Sequence, residues 1–93
     1  MEKVITARAL LTKLKKDYPE IRILDMDNRR ILINAEETIT DKQGRPVFDY
    51  WNEDYRELHY VFGVRKELHE YLERNGWYSE WENSYTMSFA KVN

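Results

Sequence analysis

Apolar residues recur along this chain with two different periods, and the changes between them mark out the elements. From about Thr6 to Asp17 the spacing is helical: Ala7, Leu10, Leu11, Leu14 and then Tyr18 fall at i, i+3, i+4, i+7 and i+11, one stripe of a 3.6-residue repeat. Thr6 can accept a hydrogen bond from a first-turn amide, Lys13, Lys15 and Lys16 suit the negative end of the helix dipole, and Pro19 closes the segment. The period then drops to two. Ile21 and Ile23 alternate within 21–26, and Ile31, Ile33 and Ala35 within 30–35, which predicts a hairpin around Asp27-Asn28-Arg29. Thr38 to Thr40 extend its second strand, and Asp41-Lys42-Gln43-Gly44-Arg45 supplies a turn, with Gly44 free to take a positive φ, before a strand over 47–51.

Residues 55–75 admit two patterns, one long helix or a strand followed by a helix. Leu58, Tyr60 and Phe62 alternate with His59 and Val61, and Gly63 interrupts any helical run. The second pattern is therefore preferred: a strand over 56–62, then a helix over 64–74 with Val64, Leu68, Tyr71 and Leu72 on one face and Asn75-Gly76 as its stop. In the tail, Tyr85, Met87 and Phe89 alternate with Thr86, Ser88 and Ala90, giving two strands around Glu82-Asn83-Ser84. The predicted order is α-β-β-β-β-α-β-β. Such an order implies an α+β, two-layer sandwich, a mainly antiparallel sheet with two helices packed on one face. Leu10, Leu14, Ile23, Ile33, Leu68 and Leu72 are its expected core.

Ninety-three residues without a linker, repeat or low-complexity tract are read as a single domain over 1–93. A chain this short buries only about 60 to 65% of its unfolded surface, so large side chains carry much of the core. Three Trp, seven Tyr and three Phe are available for that. No cysteine is present, which excludes disulfides, thiolate metal sites and a thiol nucleophile. No apolar run approaches about 18 residues and charge enters at Glu2 and Lys3, so neither a membrane span nor a signal peptide is expected and the chain is read as cytoplasmic.

Charge is distributed unevenly. Residues 1–30 hold eight basic and five acidic groups, net +3, while residues 31–93 hold seven basic and twelve acidic ones, net -5. That dipole can orient an encounter with a partner, yet the overall -2 does not describe a strongly basic nucleic-acid binder.

Catalytic and ligand-binding patterns are missing. His59 and His69 stand ten residues apart with no second ligand at metal-binding spacing. Asp25, Asp27 and Glu36 imitate the ends of a calcium loop, but Arg29 and Arg30 occupy its fifth and sixth positions, where an oxygen ligand and a glycine are required. Glu36-Glu37 and Glu53-Asp54 lie at a strand end and in a turn, where solvent screens them from the mutual pKa separation that acid/base catalysis needs. The serines and threonines of the tail lack a nucleophile elbow, and Gly44, Gly63 and Gly76 are too dispersed to cradle a phosphate. No enzyme, cofactor or metal is expected.

The remaining feature is aromatic surface. Trp77, Tyr78, Trp81 and Tyr85 crowd one short hairpin, and alternation places Trp77 and Trp81 on one face with Tyr78 on the other. A thin core shelters only one of those faces. Tyr78, Trp81 and Tyr85 are accordingly the candidate residues of a protein–protein interaction module, binding a protein partner or a second copy. An open edge on this hairpin invites strand pairing unless blunted, and Lys91 is placed to blunt it. The alternative is a nucleic-acid-binding accessory or regulatory protein using Lys13, Lys15, Lys16, Arg22, Arg29 and Arg30 against phosphates, with aromatic rings as stacking platforms.

Overall fold

The computed structural model describes residues 4–36, 39–52, 56 and 58–92. Helix α1, Ala7–Asp17, starts where Thr6 Oγ1 accepts the Ala9 amide at 3.1 Å and ends at Tyr18, whose amide donates to the Leu14 carbonyl. Its apolar stripe buries Ala7, Leu10 and Leu14. Strands β1, Arg22–Met26, and β2, Arg30–Asn34, form the first hairpin. Asp27 Oδ1 holds its turn by accepting the amides of both Arg29 and Arg30 at 2.8 Å. The carboxylate that resembled a calcium ligand is thus a turn former.

The tail supplies β5, Trp77–Asn83, and β6, Thr86–Lys91. The four strands make one antiparallel sheet in the order β1-β2-β6-β5. Ile31 opposite Phe89 and Ile33 opposite Met87 face the same side as the helices, and all four are fully buried. Helix α2, Lys66–Arg74, adds Leu68 and Leu72 to that core, and Gly76 at φ 77° reverses the chain into β5. The molecule is therefore α+β, with two helices on one face of an antiparallel sheet, as the periodicity implies. No helix among the described residues is long and apolar enough to cross a membrane.

Local details depart from the sequence pattern in several places. Residues 47–51 and, of the segment 56–62, residues 56 and 58–62 do not form the third and fourth strands at those bounds, and residue 57 lies outside the described residues. Those strands are instead a tight hairpin, β3, Tyr60–Val61, with β4, Val64–Arg65, while α2 starts two residues later than its apolar stripe suggests. Segment 46–49 is paired by two isolated bridges, Pro46 with Thr40 on one side and Phe48 with Val64 of β4 on the other. Pro46 has no N–H to continue a ladder, and the chain turns again where Asn52 donates to the Asp49 carbonyl. The expected Thr38 part of the second strand, and the Glu37 and Glu53-Asp54 carboxylates, lie outside the described residues.

Ile23 is only partly buried, because β1 is an edge strand whose register shifts between Ile23 and Asp25. Lys91 does not guard an edge: β6 lies inside the sheet, β5 is the edge, and the Lys91 ammonium sits 5.8 Å above the Trp77 ring. The remaining expected core residues, Leu10, Leu14, Ile33, Leu68 and Leu72, are buried. Replacing Leu14 or Leu68 by alanine leaves a cavity between helix and sheet and should cost roughly 2 to 5 kcal/mol. Chemical denaturation measures this, and an unchanged midpoint in both variants contradicts the assigned helix faces.

Candidate interaction surface

Trp81 is the fifth residue of β5, on the helix side of the sheet with Trp77, yet it lies beyond the cover of the helices. Its indole N–H donates to the Phe62 carbonyl at 2.7 Å, tying the β3–β4 turn to the sheet. Around it the rings form a chain of contacts. Phe89, in the core, lies 6.0 Å from Phe48; Phe48 meets Trp81 edge-on at 6.4 Å; Tyr50 meets Trp81 at 5.1 Å and 87°; and Trp51 meets Tyr50 at 5.0 Å and 81°. Edge-to-face pairs of this kind contribute about 0.5 to 1.5 kcal/mol each beyond the area they bury. Exposure rises along the chain of rings from zero at Phe89 through 42% at Tyr50 to 77% at Trp51.

Phe62 extends the same end of the molecule. It occupies the first position of the two-residue β3–β4 turn at φ 49°, followed by Gly63 at φ 76°, and is 81% exposed. Turns with both central residues left-handed favour Asn-Gly, and a bulky non-glycine residue is uncommon in that region. Gly63 has no such latitude. A Cβ there would lie 2.5 Å from the Asp49 carbonyl oxygen and 3.3 Å from the Trp81 ring. Leaving it out lets the Asp49 amide reach the Gly63 carbonyl at 2.7 Å, which fixes the segment leading into Tyr50 and Trp51 against the turn.

A groove of about 420 Å³ runs beside these rings, lined by Ala35, Glu36, Phe48, Asp49, Tyr50, Trp51, Ser84 and Tyr85. Tyr85 sits in the β5–β6 turn with its ring exposed, its amide bound to Asn83 Oδ1 and its carbonyl to the Ala35 amide. Of the three rings singled out in the sequence, Trp81 and Tyr85 thus adjoin one surface, the first through Tyr50 and the second across the groove. Tyr78 does not join them. It pairs with Ala90 on the opposite sheet face, beside Glu80 and Glu82, and is partly exposed there. Tyr50, Trp51 and Phe62 are surface rings that the sequence reading did not single out. Two consecutive aromatics before a polar stretch, and a Phe-Gly pair at a hairpin tip, are the signals that point to them.

The six basic residues do not form one patch. Lys13, Lys15 and Lys16 lie on α1, with Lys13 2.8 Å from Asp17 and its ammonium 5.1 Å above the Tyr71 ring. Arg22 and Arg30 alternate with the inward-facing Ile23 and Ile31, so they belong to the sheet face away from the helices, where Arg30 pairs with Glu82 at 3.3 Å. Arg29 lies in the turn between them.

A second cleft, of about 370 Å³, is lined by three cations, Lys13, Lys42 and Arg65, and three anions, Asp17, Asp41 and Glu67, together with Tyr18 and Gln43. Arg65 is 3% exposed at the start of α2, and its guanidinium is engaged on every side. Nε lies 2.9 Å from Asp41 Oδ2 as an ion pair without hydrogen-bond alignment; Nη2 lies 2.9 Å from Glu67 and donates to Gln43 Oε1; and Nη1 donates to the His59 carbonyl. Burial, reinforced by the negative charge of Asp17, pushes the Tyr18 hydroxyl up to about 12, so it stays protonated at neutral pH. His69 is paired with Glu73 at 2.9 Å on α2, and His59 is exposed. Among the described residues no three His, Asp or Glu side chains converge as metal ligands would. Comparison with protein-family models, curated proteins and solved structures finds no match to this chain.

Burial alone would raise the Asp41 carboxyl, but the amides of Arg45 and Gln43 and the Arg65 guanidinium outweigh it and hold its pKa below the ordinary value of 3.8. A carboxyl depressed in the folded state stabilises the fold above its unfolded pKa, and that contribution is lost as pH falls below 3.8 towards the folded value. Asp41→Asn should therefore flatten the acid limb of the stability curve below about pH 4, and at neutral pH cost on the order of 3 kcal/mol by leaving Arg65 half-paired. Denaturation midpoints from pH 2 to 7 check both effects; an acid limb as steep as that of the parent contradicts this assignment.

Proposed function

We propose that the chain is a small non-enzymatic protein–protein interaction module whose contact surface is the aromatic end formed by Tyr50, Trp51, Phe62, Trp81 and Tyr85. The observation that carries this reading is the pair of nearly free rings, Trp51 and Phe62, on a rigid support. Folding gains little from either ring. A phenylalanine in a left-handed turn position gives up the backbone preference that asparagine would satisfy and buries almost nothing in return. Exposed aromatics with fixed backbones are the residues that anchor interfaces, because they fill a partner's pocket at low entropic cost.

A nucleic-acid-binding role would use the basic residues of the first 30 positions. The division of those residues between α1 and the far sheet face supports the protein-binding reading over it.

Phe62→Asn suits the turn better than phenylalanine and should raise stability by about 1 kcal/mol. Trp51→Ala should lower it by no more than about 1 kcal/mol, the worth of its edge contact with Tyr50. Both should weaken association with a protein retained by the parent chain from nuclease-treated native lysate by about tenfold or more. Melting curves run beside quantitative capture separate the two effects. If both variants retain the same proteins as the parent, the aromatic end is not the contact surface; loss of all capture on nuclease treatment points to nucleic acid instead.

A further inference from the structure

The groove between the Tyr50–Trp51 rings and Tyr85 has a chemistry of its own, and its occupant can be named from it. Three exposed aromatic rings border it, and two carboxylates, Glu36 and Asp49, complete its wall. No described residue forms an ion pair with either carboxylate, and among the described residues no lysine, arginine or histidine lines the groove. In the cleft around Arg65, by contrast, the acids are matched: Asp17 by Lys13, and Asp41 and Glu67 by Arg65. An aromatic wall with unmatched carboxylates attracts a cation and repels a phosphate. Arginine fits better than lysine, because its planar guanidinium can lie on a ring face while its edge donates to a carboxylate. The volume, about 420 Å³, lies within the roughly 300 to 1,000 Å³ of ordinary binding clefts.

We propose that this groove receives an arginine side chain on an extended segment of a partner protein, held between Tyr50, Trp51 and Tyr85 and neutralised by Glu36 and Asp49. The assignment rests on the interaction-module reading and specifies its partner. The rings supply shape and stacking, and the carboxylates supply selectivity for positive charge.

The test is a heteronuclear NMR titration of the full chain with the blocked peptide acetyl-Gly-Arg-Gly-Arg-Gly-amide and with its citrulline counterpart, which keeps the shape and removes the charge. The arginine peptide should shift the amides of Glu36, Asp49, Tyr50 and Tyr85 and the Trp51 indole N–H saturably. The citrulline peptide should not, and Glu36→Gln with Asp49→Asn should weaken arginine binding about tenfold or more. Equal shifts with both peptides, shifts centred on another face, or no saturable shift up to about 10 mM peptide overturn the proposal. So does sedimentation showing a dimer that Trp51→Ala dissociates, which would give the groove to a second copy, or the same shifts produced by a single-stranded oligonucleotide. Partner capture distinguishes the two levels of the reading. Capture lost in Trp51→Ala but kept in the double carboxylate variant removes the arginine assignment and leaves the interaction role, whereas capture kept in both removes the role itself.

Discussion

The indole of Trp81 spans the gap between the sheet and the irregular chain that precedes α2, and the position of the surface rings depends on it. A four-stranded sheet covered by two short helices has core volume for only part of its helix-side face. Segment 39–52 and the β3–β4 hairpin close the rest, contributing Ile39, Val47, Phe48 and Val64 to the core. Neither piece has a long ladder of its own. They are held instead by a few directed bonds: Trp81 to the Phe62 carbonyl, Asp49 to Gly63, Arg65 to the Val47 carbonyl and Tyr60 to the Pro46 carbonyl. Because the indole meets both Phe48 and Tyr50 and also donates its N–H, one side chain joins the core to the turn and to Tyr50 together.

The buried Arg65 cluster works differently. A guanidinium this enclosed gains little net stability from its partners, since desolvation offsets much of the attraction. What it does fix is geometry, joining the 41–45 turn, the His59 carbonyl and the first turn of α2. With its charge matched by Asp41 and Glu67, the cleft around it offers a ligand no free cation from this arginine. Of the two clefts, the aromatic groove, where carboxylates lack such partners, is the electrostatically open one, and that contrast directs the functional reading to it.

Elements held by local periodicity were legible in the sequence. The stripe of α1, the turn at Asp27, the body of α2 and the terminal hairpin all follow from residues within a few positions of one another. The strands before α2 were not legible at their true bounds, because 47–51 is rich in residues that favour strands and 58–62 alternates as a strand does, while the pairing of both is decided by distant partners: Phe48 by Val64, Phe62 by Trp81. The same limit applies to the site. Alternation assigned Trp77 and Trp81 to one face, but burial of the first and half-burial of the second depend on where the helices end. Tyr78 was legible as belonging to the other face, whereas Tyr85, read as the first residue of the last strand, lies in the β5–β6 turn because β5 runs on to Asn83 and β6 starts at Thr86. Tyr50 and Trp51 were hidden by the strand reading of 47–51, which treats consecutive rings as an ordinary inside–outside pair. Phe62 was hidden as the last residue of a strand, where its left-handed turn position does not show.

The central claim is that the Trp81 indole is locked to the Phe62 carbonyl while Trp51 stands free on the rings it supports. Hydrogen exchange of the three indole N–H groups, resolved by NMR, reads this directly. Trp77, bonded to the Ile5 carbonyl in the core, and Trp81, bonded to Phe62, should both be protected, and Trp51 should exchange at the rate of an unprotected indole. A Trp81 indole that exchanges as fast as that of Trp51 would contradict the account, because the turn and its rings would then lack the anchor from which the surface is built.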